Sequence, residues 1–228
     1  MNIFCGTGVD GEHDPSSEEP NIRKNALQYL KNCIDIAAQG NACAINGVLY
    51  APWQAFSDIP KEKRWENSAQ VLREAAEYGA EKGIDLHVEV INRFESDFMN
   101  TLEEGAAFLE KVNHAHVKLL VDTFHMNIEE DNIPEAIRLA GRKLGHLHVG
   151  ESNRKLPGMG SLPWRDIGRA LRDIGYEKGV VMEPFLLQGG EVARDCKVWR
   201  DLSGNADEKM LDRYIKESLT FLKHEFTF

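Results

Sequence analysis

Apolar and polar positions alternate along this chain in two periods. From Ile22, the apolar residues Ala26, Leu27, Leu30, Cys33, Ile34 and Ala37 share one helical face, which predicts a helix ended by Gly40. Ala42 to Tyr50 is a short apolar run with the character of a buried strand. Trp65, Ala69, Leu72, Ala76 and Ala80 predict the next helix, which Gly83 closes before the strand Ile84 to Ile91. Asn100 with Glu103 forms a capping-box-like start for a helix carrying Leu102, Ala106, Leu109 and Val112, and Val117 to Asp122 is the following strand. Ile133 to Leu144 then reads as helix and Gly145 to Val149 as strand. Pro163 marks a helix start whose apolar face, Ile167, Ala170, Leu171 and Ile174, runs to Gly175, and Gly179 to Glu183 is strand. With a first strand at Asn2 to Gly8 and a last helix from Asp207 to about Phe226, six strands alternate with six helices. Strands repeating every ~30 to 40 residues with helices between them imply βαβ units and a parallel sheet. The expected fold is therefore α/β, a TIM-type barrel with six of its eight βα units.

Composition changes this picture little. The chain has 228 residues, 42% hydrophobic and 28% charged, as expected for one domain over residues 1–228. Its net charge of −10 argues against a nucleic-acid partner. Four cysteines, Cys5, Cys33, Cys43 and Cys196, lack ligand spacing and are expected to be reduced and buried. There is no leader pattern and no long apolar stretch, so a cytoplasmic location without membrane contact is expected.

Chemistry enters at the strand ends. In a parallel α/β barrel the reactive groups stand at the C-terminal ends of strands. Glu89 follows LHV, Asp122 follows LLV, His148 follows HL and Glu183 follows VVM, each about one βα unit from the next. Three carboxylates and an imidazole make an oxygen-rich set suited to Mn²⁺, Mg²⁺ or Co²⁺ better than to structural zinc. The alternative is that these acids are ion-pair partners of Lys118, Arg93 or Arg154; four residues in phase with the repeat favour a site. The loops just beyond add Glu95, His125, Glu151 and Arg154. His146 shares a face with His148 one layer deeper, and is expected to be a satisfied core histidine. GTGVDG at Gly6 to Gly11 fits a dinucleotide fingerprint only superficially, since acidic residues follow it. PGMG at Pro157 to Gly160 is expected to be a plain turn rather than a phosphate cradle. Trp53, Trp164 and Trp199 are each either core or pocket wall.

The stretches VEVINRFE, VDTFHMNIEE, GHLHVGESNR with PGMG-x-LPW, and VVMEPF followed by GG and VWRDLS resemble the ketose 3-epimerases. This is the D-tagatose and D-allulose (psicose) 3-epimerase family of the xylose-isomerase-like superfamily. The resemblance runs from about Asn2 to the C-terminus. It implies Glu89, Asp122, His148 and Glu183 as ligands of a divalent metal, usually Mn²⁺ or Co²⁺. Glu95, His125 and Arg154 match positions that hold substrate oxygens. It also implies that Asn2 to Gly8 corresponds to the third strand of an eight-stranded barrel, the first two units having no counterpart here. Epimerisation at C3 of a ketose (D-fructose/D-allulose or D-tagatose/D-sorbose type) would use Glu89 and Glu183 as the acid/base pair around an enediolate. A bound metal would act as a Lewis acid. An aldose-ketose or hydroxypyruvate-type isomerase would use similar groups. From another class, a metal-binding or assembly protein without turnover is the alternative. Family members are commonly homodimers or homotetramers.

Overall fold

The computed structural model describes residues 3–227. Six strands form one parallel sheet in sequence order: β1 (Phe4–Gly6), β2 (Ala44–Gly47), β3 (Asp85–Val90), β4 (Val117–Asp122), β5 (Leu144–Val149) and β6 (Gly179–Met182). The main crossover helices are α1 (Pro20–Gln39), α2 (Lys61–Glu81), α3 (Leu102–Val112), α5 (Ile133–Ala140) and α6 (Trp164–Asp173), with α8 (Glu208–Glu225) after β6. Two short helices, α4 (Thr123–Glu129) and α7 (Gly190–Asp195), lie in the loops after β4 and β6. Neither is expected from periodicity, because six or seven residues carry fewer than two helical turns. Asn2, assigned to the first strand from sequence, lies outside the described residues.

The sheet curls as part of a TIM-type barrel. Phe4 on β1 reaches across the interior to the His146 ring on β5, with centroids 4.3 Å apart. Its ring also lies 2.7 Å from where a Cβ on Gly179 of β6 would stand. Strand side chains divide between two faces. On β3, Leu86 packs towards Gly79 of α2 and Val90 towards Gly105 of α3, whereas His87 stacks on His146 inside the curl. The helices supply the outer half of the core through stripes such as Ala26, Leu30, Ile34 and Ala37 of α1. At β6 the cover is thin, and Val180 and Val181 are 36% and 41% exposed.

A bulge keeps the histidines of β5 in phase. Against β4, Leu119 pairs with Leu144 but Leu120 pairs with His146, so Gly145 is an extra residue. A Cβ there would stand against the Lys118 Cβ and 2.7 Å from the His87 ring, which leaves room only for glycine. Leu144 and Leu147 thereby remain under the helices, and His146 and His148 point inward.

Several boundaries differ from the sequence pattern. β2 ends at Gly47, where a φ of 137° and the Thr7 carbonyl in the place of a Cβ stop the strand well before Tyr50. α2 starts at Lys61, a turn before Trp65. α5 ends at Ala140, and Leu144 belongs to β5. The N-cap of α3 is Thr101, whose hydroxyl accepts from Glu104 N at 3.2 Å, while the Glu104 carboxylate accepts from Asn100 N at 2.7 Å. The capping pair is thus one residue later than Asn100 and Glu103. All four cysteines are free and half-buried rather than buried. No helix among the described residues is long and apolar enough to cross a membrane.

Candidate active site

Glu89 near the end of β3, Asp122 closing β4, His148 near the end of β5 and Glu183 just past β6 converge at the C-terminal rim of the sheet. One ligating atom from each lies within 4.8 Å of the others. His148 Nδ1 sits 3.7 Å from Glu89 and 3.5 Å from Glu183. These distances exceed a hydrogen bond, and this buried nitrogen has no hydrogen-bond partner among the described residues. Asp122 is wholly buried; it caps α4 by accepting from Phe124 N at 2.8 Å and accepts from Arg154 Nη1 at 3.0 Å.

Four carboxylates, Glu89, Glu95, Asp122 and Glu183, share the cleft with Arg154, its one permanent cation among the described residues. Burial raises the Glu89 pKa, His148 opposes this, and the neighbouring Glu183 and Asp122 charges add to it. Burial also raises Asp122, against His125 and Arg154. For Glu183 burial acts upward, but His148 and Arg154 outweigh it and hold the group below its ordinary range. Burial would lower His148, yet the two glutamates overcome it and push the imidazole up to about 10. Excess negative charge around an unpartnered imidazole nitrogen, with a donor set of three oxygen ligands and one nitrogen, fits a divalent cation.

The three loop residues expected to meet substrate also come together. A cavity of about 580 Å³ is lined by Glu95, His125 and Arg154 together with Glu89, His148 and Glu183. Burial pushes His125 down to about 4, with Asp122 opposing, so the ring is neutral near pH 7. Trp53 forms part of the wall and donates from Nε1 to Glu95 Oε2 at 2.8 Å. Arg154 adopts a φ of 62°, a left-handed conformation uncommon outside glycine. It is held there because its N donates to Glu151 O and its carbonyl accepts from Phe185 N, each at 2.9 Å. Its guanidinium lies 3.6 Å over the Phe124 ring and 5.0 Å from that of Phe185.

Other expectations need correction. Glu151 is not in the cleft: it is fully buried and accepts from Gly158 N (2.7 Å), Leu162 N (3.2 Å) and Trp164 Nε1 (2.7 Å). A carboxylate therefore fills the PGMG loop, which leaves no place for a phosphate. Glu151→Ala would strand these donors at about 1–3 kcal/mol each. The expected result is a loss of about 3 kcal/mol or more, read as a lower Tm in a thermal melt, with the metal response retained. His146 is buried as expected but not satisfied: neither ring nitrogen has a partner, since Phe4, His87 and His148 surround it. Burial pushes it down to about 4, so it stays neutral. Arg93 pairs with Glu129 at 2.7 Å rather than with the four acids. GTGVDG leads into a 3-10 turn capped by Asp10, and α1 begins only at Pro20. Trp164 is buried against Glu151, and Trp199 is 66% exposed. Asn92, Phe124 and Phe185 are the contributors that sequence reasoning missed. All three lie inside the stretches that carry the family resemblance, but no periodic signal separates a buried loop amide or a stacking ring from ordinary loop residues.

Residues 1–202 match the family model of the xylose isomerase-like TIM barrel. The D-psicose 3-epimerase of Ruminiclostridium cellulolyticum is 48% identical over 226 residues, covering 98% of this chain and 77% of that protein. The D-psicose 3-epimerase of Enterocloster bolteae is 42% identical over 226 residues, covering 98% and 75% respectively. A crystal structure of D-psicose 3-epimerase with D-tagatose from Clostridium cellulolyticum superposes with a TM-score of 0.96 at 46% identity, covering 99% of this chain and 79% of that one. The chain belongs to the xylose isomerase-like TIM barrel family and, within it, to the ketose 3-epimerases.

Proposed function

We propose that this chain epimerises a ketose at C3, with Glu89 and Glu183 as the two acid/base groups and Glu89, Asp122, His148 and Glu183 as ligands of a divalent metal. The observation that carries this is the arc of four strands ending in those residues. Glu89 comes from β3 and Glu183 from beyond β6, the two ends of the arc, so they approach one centre from different sides. Inversion at a carbon needs that arrangement. One carboxylate takes the C3 proton, the electron pair moves into C2 and its oxygen to give an enediolate, and the opposite carboxylic acid returns a proton to the other face of C3. The pair then has exchanged protonation states and runs in reverse on the product.

The remaining residues fit the same chemistry. Arg154 and His125 supply donors for the oxygen that gains charge, and Glu95 supplies an acceptor for a hydroxyl. When bound, a divalent metal supplies Lewis-acid polarisation of the ketose oxygens. Mn²⁺ or Co²⁺ suits a set containing one imidazole, with Mg²⁺ the harder alternative. The names of the relatives, D-psicose 3-epimerase, support D-fructose and D-allulose as substrates. A free sugar rather than a sugar phosphate agrees with the carboxylate that fills the PGMG loop and with the net charge of −10.

The test is incubation of the metal-loaded protein with D-fructose, and separately with D-tagatose, in D₂O. The C3 epimer with deuterium at C3 is expected. Formation of an aldose, with deuterium at its C2 if an enediol intervenes, would instead assign an aldose-ketose isomerase, and formation of neither epimer nor aldose would leave a metal-binding protein without turnover.

A further inference from the structure

We infer that Asn92 is a positioning residue that fixes the tautomer of His125, so that the ring presents Nε2–H to substrate while the same amide holds Glu95 as an acceptor. The role in turnover rests on the reading of the pocket as a ketose site; the tautomer itself does not.

Asn92 is 1% exposed and lies two residues beyond β3. His125 Nδ1 is 2.7 Å from Asn92 Nδ2 and 3.3 Å from Asn92 N. A backbone N–H can only donate, so Nδ1 must offer a lone pair. The orientation of the amide is fixed by its other two contacts. Asn92 Oδ1 accepts from Phe94 N at 2.9 Å, and Asn92 Nδ2 donates to Glu95 Oε1 at 2.9 Å. Turning the amide over would set its oxygen against the Glu95 carboxylate and its NH₂ against the Phe94 N–H. Both hydrogens of Nδ2 are therefore used, one on His125 and one on Glu95. An imidazole whose Nδ1 accepts carries its proton on Nε2, and the ring lines the cavity.

The loop is also held rigidly against the helix that bears His125. Arg93 N and its guanidinium both grip Glu129, at the C-terminal end of α4, at 2.7 to 3.1 Å. The result is a fixed polarity across the pocket: His125 donates, and Glu95 accepts. That pattern recognises an oxygen that accepts beside a hydroxyl that donates, the arrangement of an α-hydroxyketone. A His125 of the opposite tautomer would turn a lone pair towards an oxygen that is gaining charge, and would repel it.

The test is a long-range ¹H–¹⁵N correlation spectrum of the ¹⁵N-histidine-labelled, metal-free protein near neutral pH, with His125 assigned by loss of its signals in His125→Gln. The expected spectrum has an unprotonated Nδ1 and a protonated Nε2. Asn92→Asp replaces the close side-chain donor by an acceptor and leaves only the longer 3.3 Å contact from the backbone N–H, so the His125 proton is expected to move to Nδ1 and bond the new carboxylate. With that switch, kcat/KM for epimerisation should fall at least about tenfold, while metal binding stays intact and the Tm falls, since the new carboxylate stands beside that of Glu95. A wild-type spectrum with Nδ1–H overturns the inference without needing any variant to fold. So does an Asn92→Asp protein whose tautomer is unchanged, or one whose tautomer switches with undiminished kcat/KM. Absence of epimerisation beside an Nε2–H spectrum would overturn the functional reading while upholding the tautomer.

Discussion

Replacing Glu183 by Gln is expected to lower kcat/KM for C3 epimerisation by about a thousandfold or more under saturating metal. Gln keeps the shape and an oxygen donor but can neither take nor return the C3 proton, and positioned acid/base groups typically contribute about 10² to 10⁴ in rate. Glu89→Gln should be equally damaging. The two variants differ in what survives. If each glutamate serves one face of C3, Glu183→Gln retains the base for one epimer, and that epimer alone should exchange its C3 hydrogen with D₂O without being converted. Glu89→Gln should exchange the other epimer. The measurement is C3 deuteration by NMR for each variant with each epimer. Identical exchange of both epimers by both variants would sink the two-base assignment, as would a Glu183→Gln protein that keeps full turnover.

The parts of this site that can be read from sequence are those on a repeat. Strands buried on both faces are almost wholly apolar, so a carboxylate or imidazole at or just past the end of each of β3, β4, β5 and β6 stands out, and the βα spacing carries them to one rim. Glu151 passes the same filter, a polar residue just beyond a strand, yet it serves the loop; only its partners, seven to thirteen residues further along, reveal that. Asn92 sits at the same place, two residues beyond β3, but its hydrogen bonds to Glu95 and to His125 on α4 cannot be read from that position. The α3 start is ambiguous for a local reason: Asn100 with Glu103 and Thr101 with Glu104 both satisfy the capping pattern, and packing decides for the second. The bulge at Gly145 could not be read, since a glycine in a strand marks a close approach without saying by what.

Removing the metal is expected to abolish turnover and to lower the Tm. The clustered acids explain the second effect: without a cation, the Glu89, Asp122 and Glu183 carboxylates repel one another in a largely buried cleft. A cation that binds only the folded chain stabilises it by about 2.7 kcal/mol at a hundred times its Kd. For a chain of this size that corresponds to a rise of about 5–10 °C in Tm. Asp122→Asn should give the crossed result, a metal-free protein no less stable than the wild type but with the metal-induced rise largely lost, because the buried charge that needs the cation is gone. The metal effect should also grow with pH. In the metal-free chain the folded His148 pKa of about 10 lies above its value of about 6.5 in the unfolded chain. Its contribution to stability is thus complete below about 6.5 and fades as pH rises through about 10. A metal must displace that proton to reach Nδ1, so binding competes with protonation and weakens as pH falls. Thermal melts with Mn²⁺, and with chelator alone, across this range would show the two curves separating as pH rises. Curves that coincide at every pH, or an Asp122→Asn protein that responds to Mn²⁺ as the wild type does, would remove the metal from these four residues.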